Sequence, residues 1–125
     1  MHNIFVYGTL MKGYWNHNLI IESDFLGESI TKEKYSLYYD EKIPYLMFSP
    51  NNKIHGEVYS IDHSTLERLD RLEGHPIWYR REIISVDIKN TNKRIKAWAY
   101  FYPYLTGSLV ESGDFSDVSL RYVHS

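Results

Sequence analysis

The segment IHGEVYSIDHSTLERLDRLEGHP, residues 54–76, decides the fold, because its hydrophobic period changes partway along it. From Ile54 to Ile61 the side chains alternate, with His55, Glu57, Tyr59 and Ile61 on one face and Ile54, Gly56, Val58 and Ser60 on the other. A period of two is the signature of a strand. Gly56 inside that run marks either a bulge or a close approach of another backbone. From Asp62 to Gly74 the spacing is helical: Leu66, Leu69 and Leu72 make an apolar stripe, and Ser64 with Glu67 forms the S-x-x-E pattern of a capping box. Gly74 followed by Pro76 stops the helix.

Strand signals surround this segment on both sides. Residues 3–7 read as a first strand, and residues 29–39 and 43–49 as two more, joined by a turn around Asp40 to Lys42 with Pro44 at a strand start. Residues 82–88 and 95–102 alternate on either side of the polar turn at Lys89 to Lys93, which predicts a hairpin. The last twenty or so residues, with Gly107 and Gly113, carry no assignable period. The pattern predicts an α+β fold, a mostly antiparallel sheet with one main helix. Without a repeat, linker or low-complexity block, residues 1–125 read as a single domain.

Composition narrows the function. A chain of 125 residues that is 43% hydrophobic buries a core without staples, and 12 tyrosines within a 16% aromatic share favour a sheet-rich fold. The formal net charge of −2 gives no global attraction to nucleic acid or anionic membrane. With no cysteine there is no thiol catalysis, disulfide or thiolate metal site. Apolar runs such as Ile4 to Tyr7 are too short for a membrane span or a signal-peptide core, so a soluble cytoplasmic protein is expected. The histidines at 2, 17, 55, 63, 75 and 124 show no ligand spacing, and neither a metal nor a cofactor is expected. Lys89, Lys93, Arg94 and Lys96 read as a solvated hairpin tip, the Tyr38-Tyr39 and Trp98 to Tyr102 aromatics as core and sheet-face residues, with Tyr100 within reach of a cavity.

Two places carry chemistry. Glu73 falls on the helical arc that Leu66 and Leu69 define, so its carboxylate should face inward at the electronegative helix end, where burial and the dipole both raise its pKa. A group so poised suits proton shuttling near neutral pH. A structural ion pair with Arg80 or Arg81, or simple solvation, is the competing reading. Asp70, one turn earlier, is read as capping or pairing locally rather than as half of a glycosidase pair. The second place is FVYGTL, residues 5–10, where a strand halts at a glycine and exposes backbone N–H groups, as an anion cradle or as a plain turn.

Taken in order, FVYGTL, Lys12-Gly13, Asn16-His17, Thr31, Tyr35, IPYL (43–46), HGEVYSID (55–62), LDRLEGHP (69–76) and Tyr79 with Arg81 resemble the γ-glutamylamine cyclotransferases and wider γ-glutamyl cyclotransferase-like proteins. ESGDF (111–115) resembles a further element near their C-terminus. The resemblance implies a sheet curled into a small β-barrel with one main helix and short flanking helices. It implies a small-molecule γ-glutamyl substrate bound by Tyr7, Gly8, Thr9, Leu10 and Tyr79, with Glu73 as the catalytic glutamate. Asn16 and His17 would fix the loop, Arg81 would have a structural partner, and the protein would be a monomer or weak dimer. The implied reaction closes the substrate's own α-amine onto its γ-carbonyl, releasing 5-oxoproline and an amine. A non-catalytic binding module on the same fold, or removal of a γ-glutamyl protecting group from a biosynthetic intermediate, are the alternatives.

Overall fold

The two periods of residues 54–76 become strand β5 (His55–Ile61) and helix α1 (His63–Glu73) in the computed structural model, which describes residues 1–119. Asp62, not Ser64, is the N-cap: its carboxylate accepts from the Thr65 N–H at 2.8 Å. The serine-based capping box is therefore two residues late, because Asp62 reaches the orphan donors of the first turn from outside the helix. At the other end Gly74 takes a left-handed conformation, φ 64°, and the His75 N–H bonds back to the Asp70 carbonyl. Leu66 and Leu69 are buried as the stripe requires, whereas Leu72 is 45% exposed.

The remaining strands are β1 (His2–Val6), β2 (Asp24–Thr31), β3 (Tyr35–Asp40), β4 (Ile43–Asn52), β6 (Arg80–Ile88), β7 (Arg94–Phe101) and the short β8 (Ser108–Leu109). Five of them close a barrel in the order β1-β5-β2-β6-β7, sealed by a parallel contact of β1 with β7 at Ile4 and Trp98. All other barrel pairs are antiparallel. A second sheet, β4-β3-β8, leans on the barrel through the Tyr102 N–H to the Leu46 carbonyl at 2.8 Å. Single turns of 3-10 helix at His17–Leu19 and Phe115–Asp117 are the short flanking helices.

One expected strand, 29–39, is two. The chain leaves the barrel at Thr31, whose hydroxyl accepts from the Ile54 N–H at 2.9 Å and donates to the Glu33 carbonyl at 2.7 Å, and β3 then enters the other sheet. A side-chain hydroxyl breaks the strand where no glycine or proline announces it. The turns at 40–42 and 89–93 form as expected, with Glu41 and Asn90 at positive φ.

Strand β5 is buried on both faces. Glu57 and Tyr59 lie under residues 11–25, through the Lys12 N–H to the Glu57 carboxylate at 2.9 Å and the rings of His17 and Phe25 around Tyr59. On the other face Gly56 meets Phe5 and the Val6 carbonyl so closely that a Cβ would sit 2.4 Å from that oxygen. Of the two readings of Gly56, close backbone approach is the one realised here, and the irregularity in pairing occurs instead at Phe25 and Gly27 of β2.

Candidate active site

Where β1 ends, the end of α1 and the start of β4 meet around a cavity of about 310 Å³. Tyr7, Gly8, Thr9, Leu10, Glu73 and Tyr79 all line it, so residues far apart in sequence share one cavity. Phe5, Trp15, Ile43, Pro44, Leu72 and Tyr100 complete most of the rest, and Tyr100 thus reaches the cavity as its position among the 98–102 aromatics allowed.

The loop at 7–10 is held from behind. The Gly8 carbonyl accepts from Met11 N–H at 3.0 Å, the Thr9 carbonyl from Asn16 N–H at 3.1 Å, and the Leu10 carbonyl from His17 Nδ1 at 2.9 Å. Asn16 Nδ2 also donates to Thr9 Oγ1 at 3.0 Å. The carbonyls of Gly8, Thr9 and Leu10 are thus occupied, while the N–H groups of the same three residues have no protein acceptor among the described residues. A run of free backbone donors on a cavity wall is a cradle for an anion or a carbonyl oxygen. Gly8 itself packs on Pro44, whose Cγ would lie 2.3 Å from a Cβ at that position. Lack of a side chain here serves the contact between loop and β4.

Glu73 is half-buried, and the cost of desolvating its carboxylate raises the pKa from an ordinary 4.5 to about 7. Neither arginine of the competing reading reaches it: Arg80 pairs with Glu82 at 3.1 Å and Arg81 with Asp70 at 2.9 Å. Among the described residues the Glu73 carboxyl has no ion pair. Its charge is instead felt by the phenols of Tyr7, Tyr79 and Tyr100, all held above the usual tyrosine range mainly by burial.

Asp70 pairs, but not locally. Arg81 grips it through Nε at 2.9 Å and Nη2 at 3.2 Å, and the Tyr100 hydroxyl donates to its Oδ1 at 2.6 Å. Burial pushes the Asp70 carboxyl up, yet the hydrogen bonds from Arg81 and Tyr100 and the arginine charge outweigh it and leave the pKa lowered. The arginine also lies over the Trp98 ring, 4.2 Å from its centroid. Tyr79 donates to the Pro44 carbonyl at 2.9 Å and Tyr7 to the Tyr100 carbonyl at 2.7 Å. Two strands and the loop are therefore tied to the end of the helix that carries Glu73.

The other candidates fall away from the cavity. In the basic hairpin Arg94 pairs with Asp87, Lys96 donates to Ser85 and Lys89 contacts His55. Among the described residues no cluster of three metal-ligating side chains occurs and no helix is long and apolar enough to cross a membrane. His124 lies outside the described residues.

Comparison with known proteins bears on this geometry. The family described as "Gamma-glutamyl cyclotransferase, AIG2-like" matches residues 4–117. A Methanocaldococcus jannaschii protein named "Putative gamma-glutamylcyclotransferase MJ1514" is 50% identical over 121 residues, covering 94% of this chain and 98% of that one. Gamma-glutamylaminecyclotransferase C of Danio rerio is 39% identical over 100 residues, 73% of this chain and 66% of its own. The crystal structure of an AIG2-like protein from Mus musculus superposes with a TM-score of 0.83 at 28% identity, covering 100% of this chain and 97% of the other.

Proposed function

Since the chain belongs to the gamma-glutamyl cyclotransferase, AIG2-like family, we propose that it cyclises a γ-glutamyl amine, releasing 5-oxoproline and the free amine, with Glu73 as general base and then general acid. The observation that carries this reading is the half-buried Glu73 carboxyl, without an ion pair among the described residues, lining the same cavity as the loop that carries the free N–H groups of residues 8–10.

The substrate brings its own nucleophile. Glu73 takes a proton from the α-ammonium, the freed nitrogen forms a bond to the γ-carbonyl carbon, and the bond from that carbon to the leaving nitrogen breaks as Glu73 returns the proton to it; the second proton, which the ring nitrogen sheds on becoming a lactam N–H, passes through the same carboxylate to the amine, which departs as an ammonium. Atoms balance without water. An intramolecular attack held in the right geometry is worth an effective concentration of about 10⁵–10⁸ M, so the protein need only fold the substrate, relay protons from the attacking to the leaving nitrogen and stabilise oxygen charge. The N–H groups of Gly8, Thr9 and Leu10 supply that last function, to the carbonyl oxygen or to the α-carboxylate. A carboxylate with a pKa near 7 accepts and returns a proton at little cost at neutral pH.

The leaving group meets apolar surface at Trp15, Ile43 and Leu72, and among the described residues no lysine or arginine lines the cavity. An amine bearing a carboxylate beside the scissile nitrogen finds no countercharge there, which favours γ-glutamyl alkylamines over glutathione. The test is to incubate the protein with γ-glutamyl-ε-lysine, γ-glutamyl dipeptides and glutathione and to measure 5-oxoproline. Release is expected from the first, and Glu73→Gln should lower turnover by about 10²–10⁴-fold. Intact turnover in that variant removes Glu73 from the mechanism; binding without turnover of any of these compounds supports a binding module instead.

A further inference from the structure

Three tyrosines surround the Glu73 carboxyl, and each has committed its only proton to the protein. Tyr100 donates to Asp70 Oδ1 at 2.6 Å, Tyr79 to the Pro44 carbonyl at 2.9 Å and Tyr7 to the Tyr100 carbonyl at 2.7 Å. A phenol that has donated its proton offers only lone pairs to a ligand. The choice is forced at Tyr100, because Arg81 holds both oxygens of Asp70 and keeps it an ionised acceptor. At Tyr79 the partner is a main-chain carbonyl, which can only accept. Tyr7 is fully buried and its oxygen also faces the Leu46 N–H, so its ring is wall rather than contact.

The cavity is therefore divided. By chemistry its lining falls into two sets: the N–H groups of residues 8–10 only donate, and Tyr79, Tyr100 and ionised Glu73 only accept. Three acceptors match the three donors of an ammonium, and the donor set matches a carboxylate. Resting on the cyclotransferase reading for the orientation of the substrate, we propose that Tyr79 and Tyr100 bind the substrate's α-ammonium as hydrogen-bond acceptors, with Asp70 and Arg81 positioning Tyr100, so that a free α-amine is required for binding as well as for reaction. Both phenols are held above the ordinary tyrosine range, chiefly by burial, so each remains protonated and keeps that donor assignment at neutral pH.

Inert ligands separate this from the catalytic reading. L-methionine sulfone carries the amino-acid head and a tetrahedral γ-oxygen centre but has no carbonyl to cyclise onto; 4-(methylsulfonyl)butanoate is the same molecule without the amine. Calorimetric titration should show the first binding at least tenfold more tightly to the wild-type protein. In Tyr100→Phe and in Tyr79→Phe that preference should shrink several-fold while the affinity for the desamino compound stays constant, since phenylalanine keeps the ring and removes the acceptor. An equal loss of both affinities would mean a merely structural role, and a wild-type protein showing no preference, or binding neither compound, overturns the proposal. Should Tyr100→Phe fail to fold for want of its bond to Asp70, the half-buried Tyr79 carries the same measurement alone. Release of 5-oxoproline decides the cyclotransferase reading separately.

Discussion

Glu73 is costly to ionise where it stands, and that cost has a sign that stability measurements can read. Its folded pKa of about 7 lies above the ordinary 4.5, so between those values the native state holds a proton that the unfolded chain has lost. The stabilisation from that proton is complete below pH 4.5 and is lost as pH rises through 7, leaving the ionised carboxylate as a burden above neutrality. Glu73→Gln should therefore be more stable than the wild type above pH 7, by up to about 3 kcal/mol less whatever solvent screens at a half-buried site, with the gap closing as pH falls towards 4.5. Thermal denaturation across that range checks it; a constant gap would mean the carboxyl titrates normally. The same group should give kcat/KM an acidic limb near pH 7, rising with pH as the base form appears. The inward aim of Glu73 was legible because a helix repeats every 3.6 residues and Leu66 and Leu69 fix its buried face. The roles of Tyr100 and Asp70 were not, because alternation assigns a strand face and says nothing about which partner a hydroxyl or carboxylate finds across the fold.

At the scale of elements, the site depends on three chain segments being locked together: the loop after β1, the first residues of β4 and the end of α1. Gly8 is the contact point of the first two. An added methyl would lie 2.3 Å from Pro44 Cγ, and Pro44 cannot yield without moving the carbonyl that holds the Tyr79 hydroxyl. Gly8→Ala should accordingly raise KM by about tenfold or more, the effect of an ångström-scale displacement in a positioned site, with a smaller change in melting temperature. Steady-state kinetics beside a melting curve distinguishes the two, and an unchanged KM would show that loop and β4 move independently. Sequence placed the glycine and the turn; the packing of Gly8 on Pro44 is a further reason for the glycine that only the structure shows. Element boundaries were legible where a local residue sets them, as at Gly74 and the 89–93 turn. They were lost where a long-range bond does so, as at Thr31, which ends β2 by bonding to Ile54 in another segment.

For the molecule as a whole, closure of the barrel is the condition on which the loop's position rests. β1 is paired with β5 along its length but with β7 only at Ile4 and Trp98, beside which Asn3 Nδ2 donates to the Lys96 carbonyl at 3.2 Å, and it runs directly into Tyr7 and Gly8. Periodicity predicted strands and a helix; it could not show closure, since a strand's alternation is the same in an open sheet and a barrel, and only the family resemblance pointed to it. Gly56 tests how little slack the closed arrangement has. A Cβ there would sit 2.4 Å from the Val6 carbonyl and 2.6 Å from the Phe5 ring, and the oxygen belongs to backbone that cannot rotate away. Relief requires β1 to shift outward from β5, which strains both its ladder and its pairing with β7. Gly56→Ala should therefore cost on the order of 3 kcal/mol, the upper end for overpacking a core, and lower the melting temperature by roughly 10 °C. Because β1 carries the loop, cyclotransferase activity measured well below the melting temperature should fall as well. A variant that melts within a degree or two of the wild type would show that the barrel has room to spare and that closure does not position the site.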